Sequence, residues 1–242
     1  MTISQIASLF YSVRKDGAVP KSFPRQPRPG QVYDMVPGYD TARQMALRMA
    51  DSGEVQVAEC KTNSGKRLKF VDNLIMLPKD RPPSVMGWQH EIDRGDIYVA
   101  LHKTGKLTSY RWKWHPTEYQ GFAKLHKLYP DGRFELQGSD YIFFLEVDRG
   151  TEFWSDELNT KIEKYAGLQD SMPQNPFVVV FVIQAKPGMD IKERAANFRS
   201  AFGELGRGHK FVITPHQLFL KDPLGDVLDY YRSDEPTSLL TL

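Results

Sequence analysis

The chain has 242 residues, 40% of them hydrophobic and 26% charged, with a formal net charge of +2. That balance suits a soluble globular protein of one large or two smaller domains. A single cysteine, Cys60, excludes an internal disulfide and a cysteine zinc cluster. The longest apolar run, Phe177 to Ile183, is too short to cross a bilayer. The first residues lack a cationic start and a small-residue cleavage site. A cytoplasmic protein without a membrane partner is expected.

In chain order, Ile3, Ile6, Ala7, Phe10 and Tyr11 recur at helical spacing and predict a short helix over 3–13. Five prolines then break residues 19–38 into an arm or long loop. Asp40 or Thr41 can cap a helix that ends near Gly53. Residues 55–58 alternate like a strand, 61–67 form a polar basic loop, and 68–76 return as a second strand. Helix, strand, basic loop, strand is the carboxyl-terminal half of a winged helix. The supporting helix of a helix-turn-helix is missing, because the proline-rich stretch stands in its place. Either the module is a degenerate winged helix or it is not a DNA reader.

Pro82-Pro83-Ser84 marks the expected boundary, giving domains 1–84 and 85–242. Residues 1–85 hold 13 Lys+Arg and 8 Asp+Glu, a net of +5; the remainder holds 19 and 22, a net of −3. A basic module beside an acidic one fits DNA contact next to cation binding, although ordinary solvated charge gives the same numbers. Lys61, Lys66 and Arg67 at the hairpin tip, with Arg43 and Arg48 on the preceding helix, are the phosphate contacts expected there.

The second region reads as a helix over 87–103, strands near 107–114, 132–137 and 141–148, and a helix over 153–167. A strand over 177–183, a helix over 190–204 and a strand at 210–213 follow. The result is an α/β (α+β) fold: a mixed sheet flanked by helices. Tyr110, Trp112 and Trp114 alternate with Arg111 and Lys113. The aromatic face suits the core, and the two cations on the other face suit phosphate.

The chemistry concentrates at 131–161. The uncharged strand Tyr141 to Leu145 runs into Glu146 and Asp148, which share a strand face. Two carboxylates that close require a cation, a proton or open solvent. Asp131 precedes them on a Pro-Asp-Gly turn one hairpin upstream; tight turns favour that sequence for reasons of their own. Arg149 is a competing structural partner for the acids. On a helix advancing about 100° per residue, Lys161 lies about 20° from Trp154 and about 40° from Tyr165. It therefore sits within the apolar stripe and must reach an acid, unless it pairs outward with Glu157. Glu91 is a weaker outer carboxylate, more simply a solvated helix residue. The histidines have no metal-ligand spacing, and no phosphate loop or nucleophile elbow is present.

Pro130-Asp131, a strand, then Glu146-Val147-Asp148-Arg149-Gly150-Thr151-Glu152 and a helix with Lys161 and Tyr165 resemble the replication-relaxation family of bacterial plasmids and mobile elements. That family in turn resembles the PD-(D/E)XK nucleases. The resemblance is best over about 86–220. It implies a restriction-endonuclease-like αβββαβ core with Asp131, Glu146 and Asp148 as ligands of Mg²⁺ or Mn²⁺. Lys161 would act on water or phosphate, with Tyr165 in support. It also implies DNA as partner, alongside a second copy or other replication and mobilisation proteins. The superfamily usually places a lysine where this chain has Asp148, so a non-catalytic DNA-binding regulator is the alternative. A protein–protein adaptor using the 19–38 arm is a third reading.

Overall fold

A computed structural model describes residues 1, 5, 39–58, 74–76, 85–111, 128–150, 156–174, 176–184, 189–204, 209–230 and 236–242. The chain divides into two compact units, 1–99 and 100–242. The division falls inside a helix.

In the first unit, helix α1 spans Tyr39–Asp51 and buries Ala42 and Ala46, one turn apart, while Arg43 and Arg48 are exposed. It ends near Gly53, as expected. With φ of 77°, Gly53 lets its N–H bond Ala50 while the next N–H bonds Met49. Strands β1 (Gln56–Ala58) and β2 (Leu74–Met76) pair antiparallel, Val57 opposite Ile75. Met1 extends this pairing: its carbonyl accepts from the Ile75 N–H at 2.7 Å. Helix α2 spans Val85–Lys103. Gln5 lies against its Gly95 and donates to the Ile92 carbonyl and to Asp96, both at 2.9 Å. The expected strand over 68–76 is described only at its end. The basic loop 61–67, the arm 19–38 and all but Gln5 of the helix over 3–13 lie outside the described residues.

The second unit is built on strands β3 (Leu107–Arg111), β4 (Gly132–Leu136), β5 (Ile142–Asp148), β6 (Phe177–Ile183), β7 (Phe211–Pro215) and β8 (Asp229–Tyr230). Helices α3 (Asp156–Ser171), α4 (Ile191–Glu204) and α5 (His216–Lys221) complete it. The strands form one mixed sheet in sequence order. β3, β4 and β5 are antiparallel, β5, β6 and β7 are parallel, and β8 returns antiparallel. Each parallel link needs a crossover, and α3 and α4 supply the two.

β6 is buried at all seven positions, which explains its uninterrupted β-branched and aromatic sequence. On one face Phe144, Phe181 and Phe211 pack with Leu158, Ile162 and Tyr165 of α3 and with Phe198 and Phe202 of α4. Each such ring, fully removed from water, contributes about 1.5–3 kcal/mol. Phe134 and Phe143 stack at 5.0 Å, with Tyr110 against Phe134. Trp112, Lys113 and Trp114 lie outside the described residues. The sequence missed α5 and β8. A six-residue helix and a two-residue strand are too short for hydrophobic periodicity to register.

Candidate functional site

The site lies at the carboxyl end of β5, where the strand meets α3. Glu146 is 3% exposed. Its two oxygens take different donors from one face of that helix. The Lys161 ammonium donates to Oε2 at 3.0 Å, and the Tyr165 hydroxyl, one turn on, donates to Oε1 at 2.5 Å. The stripe geometry anticipated this inward Lys161. Its ammonium reaches the strand end.

Asp131 approaches from the β4 side. Its N–H donates to the Leu145 carbonyl at 2.8 Å and its Oδ2 accepts from the Val147 N–H at 2.8 Å. These two bonds clamp the turn onto β5 on either side of Glu146. The electrostatics follow. Burial, opposed by Lys161 and reinforced by the Asp131 charge, pushes the Glu146 carboxyl up to about 7. Burial and the adjoining Glu146 push the Tyr165 phenol well above its ordinary range. The hydroxyl is therefore a donor and not a phenolate at any physiological pH.

Asp148 shares the strand face of Glu146 but has another partner. Arg194 of α4 grips it with both ends of its fork, Nε to Oδ2 at 2.8 Å and an Nη to Oδ1 at 2.9 Å. The Gly150 N–H adds a third bond at 3.0 Å. Arg194 also lies over the Phe198 ring at 5.5 Å. The sequence did not single out Arg194, 46 residues away. Yet the signal was there. Arg194, Phe198, Ala201 and Phe202 recur at i, i+4, i+7 and i+8, so the arginine sits in an apolar stripe as Lys161 does.

The geometry changes the expected metal set. Among the described residues, no group of three or more Asp, Glu, His or Cys is placed to hold a metal ion. Asp131 and Glu146 are an oxygen-only pair, a donor type that could hold a hard divalent cation. Asp148 does not complete a triad, because its carboxylate already neutralises a buried guanidinium. Glu91 pairs with Arg94 at 2.9 Å, one turn along α2. Arg111 is exposed at the end of β3, and Arg43 and Arg48 are exposed on α1. Lys61, Lys66, Arg67 and Lys113 lie outside the described residues.

Compared with protein families, residues 79–180 match the replication-relaxation family. That stretch is less than half of the chain. It runs from before α2 into β6 and contains Asp131, Glu146, Asp148, Lys161 and Tyr165; Arg194 falls beyond it. No curated protein and no solved structure matches the chain. Among the described residues no helix is long and apolar enough to cross a membrane.

Proposed function

We propose that this chain acts on DNA in the replication or mobilisation of a plasmid or other mobile element, through a PD-(D/E)XK-type nuclease-like domain. The family match over 79–180 suggests the replication role. The element order supports the domain: a helix, three antiparallel strands, a helix, then a strand parallel to the third. The observation that carries the reading is Glu146, buried at a strand end with Asp131 beside it and a lysine reaching in from the next helix.

In this reading Asp131 and Glu146 hold a divalent ion. When bound, it supplies Lewis-acid stabilisation of phosphate charge and a more acidic water. Lys161 replaces the strand lysine that Asp148 displaces, and stabilises phosphate charge or orients the attacking water. Tyr165 fixes the Glu146 rotamer. α1, β1 and β2 supply a winged-helix-like contact to DNA, with Arg43 and Arg48 on the exposed face of α1. The test is nicking of supercoiled DNA with Mg²⁺ and with Mn²⁺. Activity is expected in the parent chain and not in Glu146→Gln. Inactivity of the parent, or activity that survives the substitution, removes the catalytic role.

A second reading, a DNA-binding accessory factor that keeps the fold without cutting, has its own support. Asp148 is neutralised by Arg194, and both oxygens of Glu146 already have donors. It expects metal-independent DNA binding that persists when Asp131, Glu146 and Asp148 are all replaced by Asn or Gln.

A further inference from the structure

Both oxygens of Glu146 are engaged, and the two donors differ in how readily they leave. The Tyr165 hydroxyl is carried by a ring fully buried in the core. The Lys161 ammonium meets Oε2 at 3.0 Å from a side chain 33% exposed. A point charge on a flexible four-carbon stem turns without disturbing the packing beneath it. Among the described residues, the charges that act on Glu146 are those of Lys161 and Asp131. With both carboxyls ionised, two acids and one base leave the site at a net of −1. A divalent cation alone takes it to +1 and a phosphodiester alone to −2, whereas the two together leave it neutral. Uncompensated charge of either sign is costly beside a buried carboxylate.

We propose that Lys161 couples two ligands of this site: a DNA phosphodiester draws its ammonium off Glu146 and opens Oε2 to a hard divalent cation, so that DNA and cation each bind more tightly when the other is present. Every charge stays paired in the exchange. The ammonium trades a carboxylate for a phosphate, and the carboxylate trades an ammonium for the cation. Oε1 keeps its bond from Tyr165, so Glu146 holds its orientation throughout. Without DNA, Lys161 covers Oε2 and repels the cation. Asp148 takes no part, because the Arg194 fork holds it. The inference rests on the DNA-acting, cation-binding reading of Asp131 and Glu146, and adds to it that cation uptake depends on DNA.

The full chain is titrated with a short fluorescein-labelled duplex at constant ionic strength, in Ca²⁺ and in EDTA. Ca²⁺ is the probe, a hard oxygen-binding ion like Mg²⁺. A pH of about 9 keeps a proton from competing for the carboxylates. Ca²⁺ is expected to tighten DNA binding by the parent about thirtyfold, and to leave Glu146→Gln unchanged. In Lys161→Met the factor should fall to about threefold, the part due to direct attraction between cation and phosphate. Calorimetry without DNA should show Ca²⁺ binding to Lys161→Met about tenfold more tightly than to the parent, since a like charge is gone. A lysine that only packs would give unchanged or weaker Ca²⁺ binding. Lys161→Gln serves in its place if Lys161→Met fails to fold. Equal DNA affinity of the parent in Ca²⁺ and EDTA overturns the coupling without any variant. An equal Ca²⁺ factor in parent and variant, or no gain in Ca²⁺ affinity, removes Lys161 from it. Metal-dependent nicking without the coupling sinks the inference and leaves the nuclease reading standing. Coupling without nicking does the reverse. A parent chain with no DNA affinity ends both.

Discussion

Glu146 and Asp148 sit two residues apart on one strand and one face, yet their surroundings differ in kind. Around Glu146 the donors are a lysine one third exposed and a buried phenol, one bond each. Around Asp148 a guanidinium buried on its own helix closes both oxygens at once. A point-charge ammonium on a flexible stem can turn toward a substrate, whereas a forked and packed guanidinium cannot without breaking the core. The Lys161–Glu146 contact is therefore the more adjustable of the two, and the Asp148–Arg194 pair fastens α4 to the end of β5.

The contrast breaks first, and most, at Asp148. Asp148→Asn leaves the Arg194 charge buried without its counter-ion, at an expected cost of about 3–5 kcal/mol. Replacing both partners, as Asp148→Leu with Arg194→Met, should cost less than Asp148→Asn alone, because no charge is stranded. Urea unfolding measures both. A single substitution that costs no more than the double makes the ion pair incidental and reopens Asp148 as a metal ligand.

Next comes the pH response of Glu146. Its folded carboxyl lies near 7, above the ordinary value of 4.5. Between those values the folded chain holds the proton more firmly than the unfolded chain does. The group's contribution is thus complete below about pH 4.5 and is lost as pH rises through about 7, a change on the order of 3 kcal/mol. Glu146→Gln does not titrate. It should gain on the parent by that amount between about pH 5 and about pH 8. Parallel stability curves for the two proteins would show that Glu146 stays ionised throughout, and the account of its burial would fail.

Tyr165→Phe is expected to cost about 1.5–3 kcal/mol, since it removes one hydrogen bond from a buried carboxyl while leaving the ring in place. Its effect should be smaller in the Glu146→Gln background than in the parent, as a shared interaction requires. Additive costs would mean that the hydroxyl serves another partner.

Much of this was legible in the residues, and for local reasons. Strand β6 announced itself by seven successive apolar residues, and β5 by an uncharged run that stops at Glu146. Helical spacing favoured an inward Lys161 over an outward pair with Glu157. What stayed hidden was pairing over distance. Nothing near Asp148 points to Arg194, and the adjacent Arg149 was the obvious competitor. Paired acids resemble a metal site equally well whether or not a distant arginine claims one of them. Cross-strand alignment of Arg111 with Arg133 was hidden for a related reason: it depends on the register across a connection of twenty residues, 112–131. Strand alternation fixes which face a residue takes but not which neighbour it meets.

The smallest expected effect tests the contrast most closely. Lys161 is the strongest influence holding the Glu146 carboxyl down against burial. Lys161→Met removes that influence, so the Glu146 titration should move above about 7. The stability cost near neutral pH should nonetheless be only about 1 kcal/mol or less, because the lysine is partly solvated and Glu146 can take up a proton instead of remaining a bare buried charge. Asp148 has no such escape in reverse, since arginine does not give up its proton. A mild Lys161→Met beside a severe Asp148→Asn is thus the signature of one mobile and one fixed ion pair. If Lys161→Met is as destabilising as Asp148→Asn, or if the Glu146 titration fails to rise, the lysine is a packed structural cation, and its place in the proposed chemistry is lost.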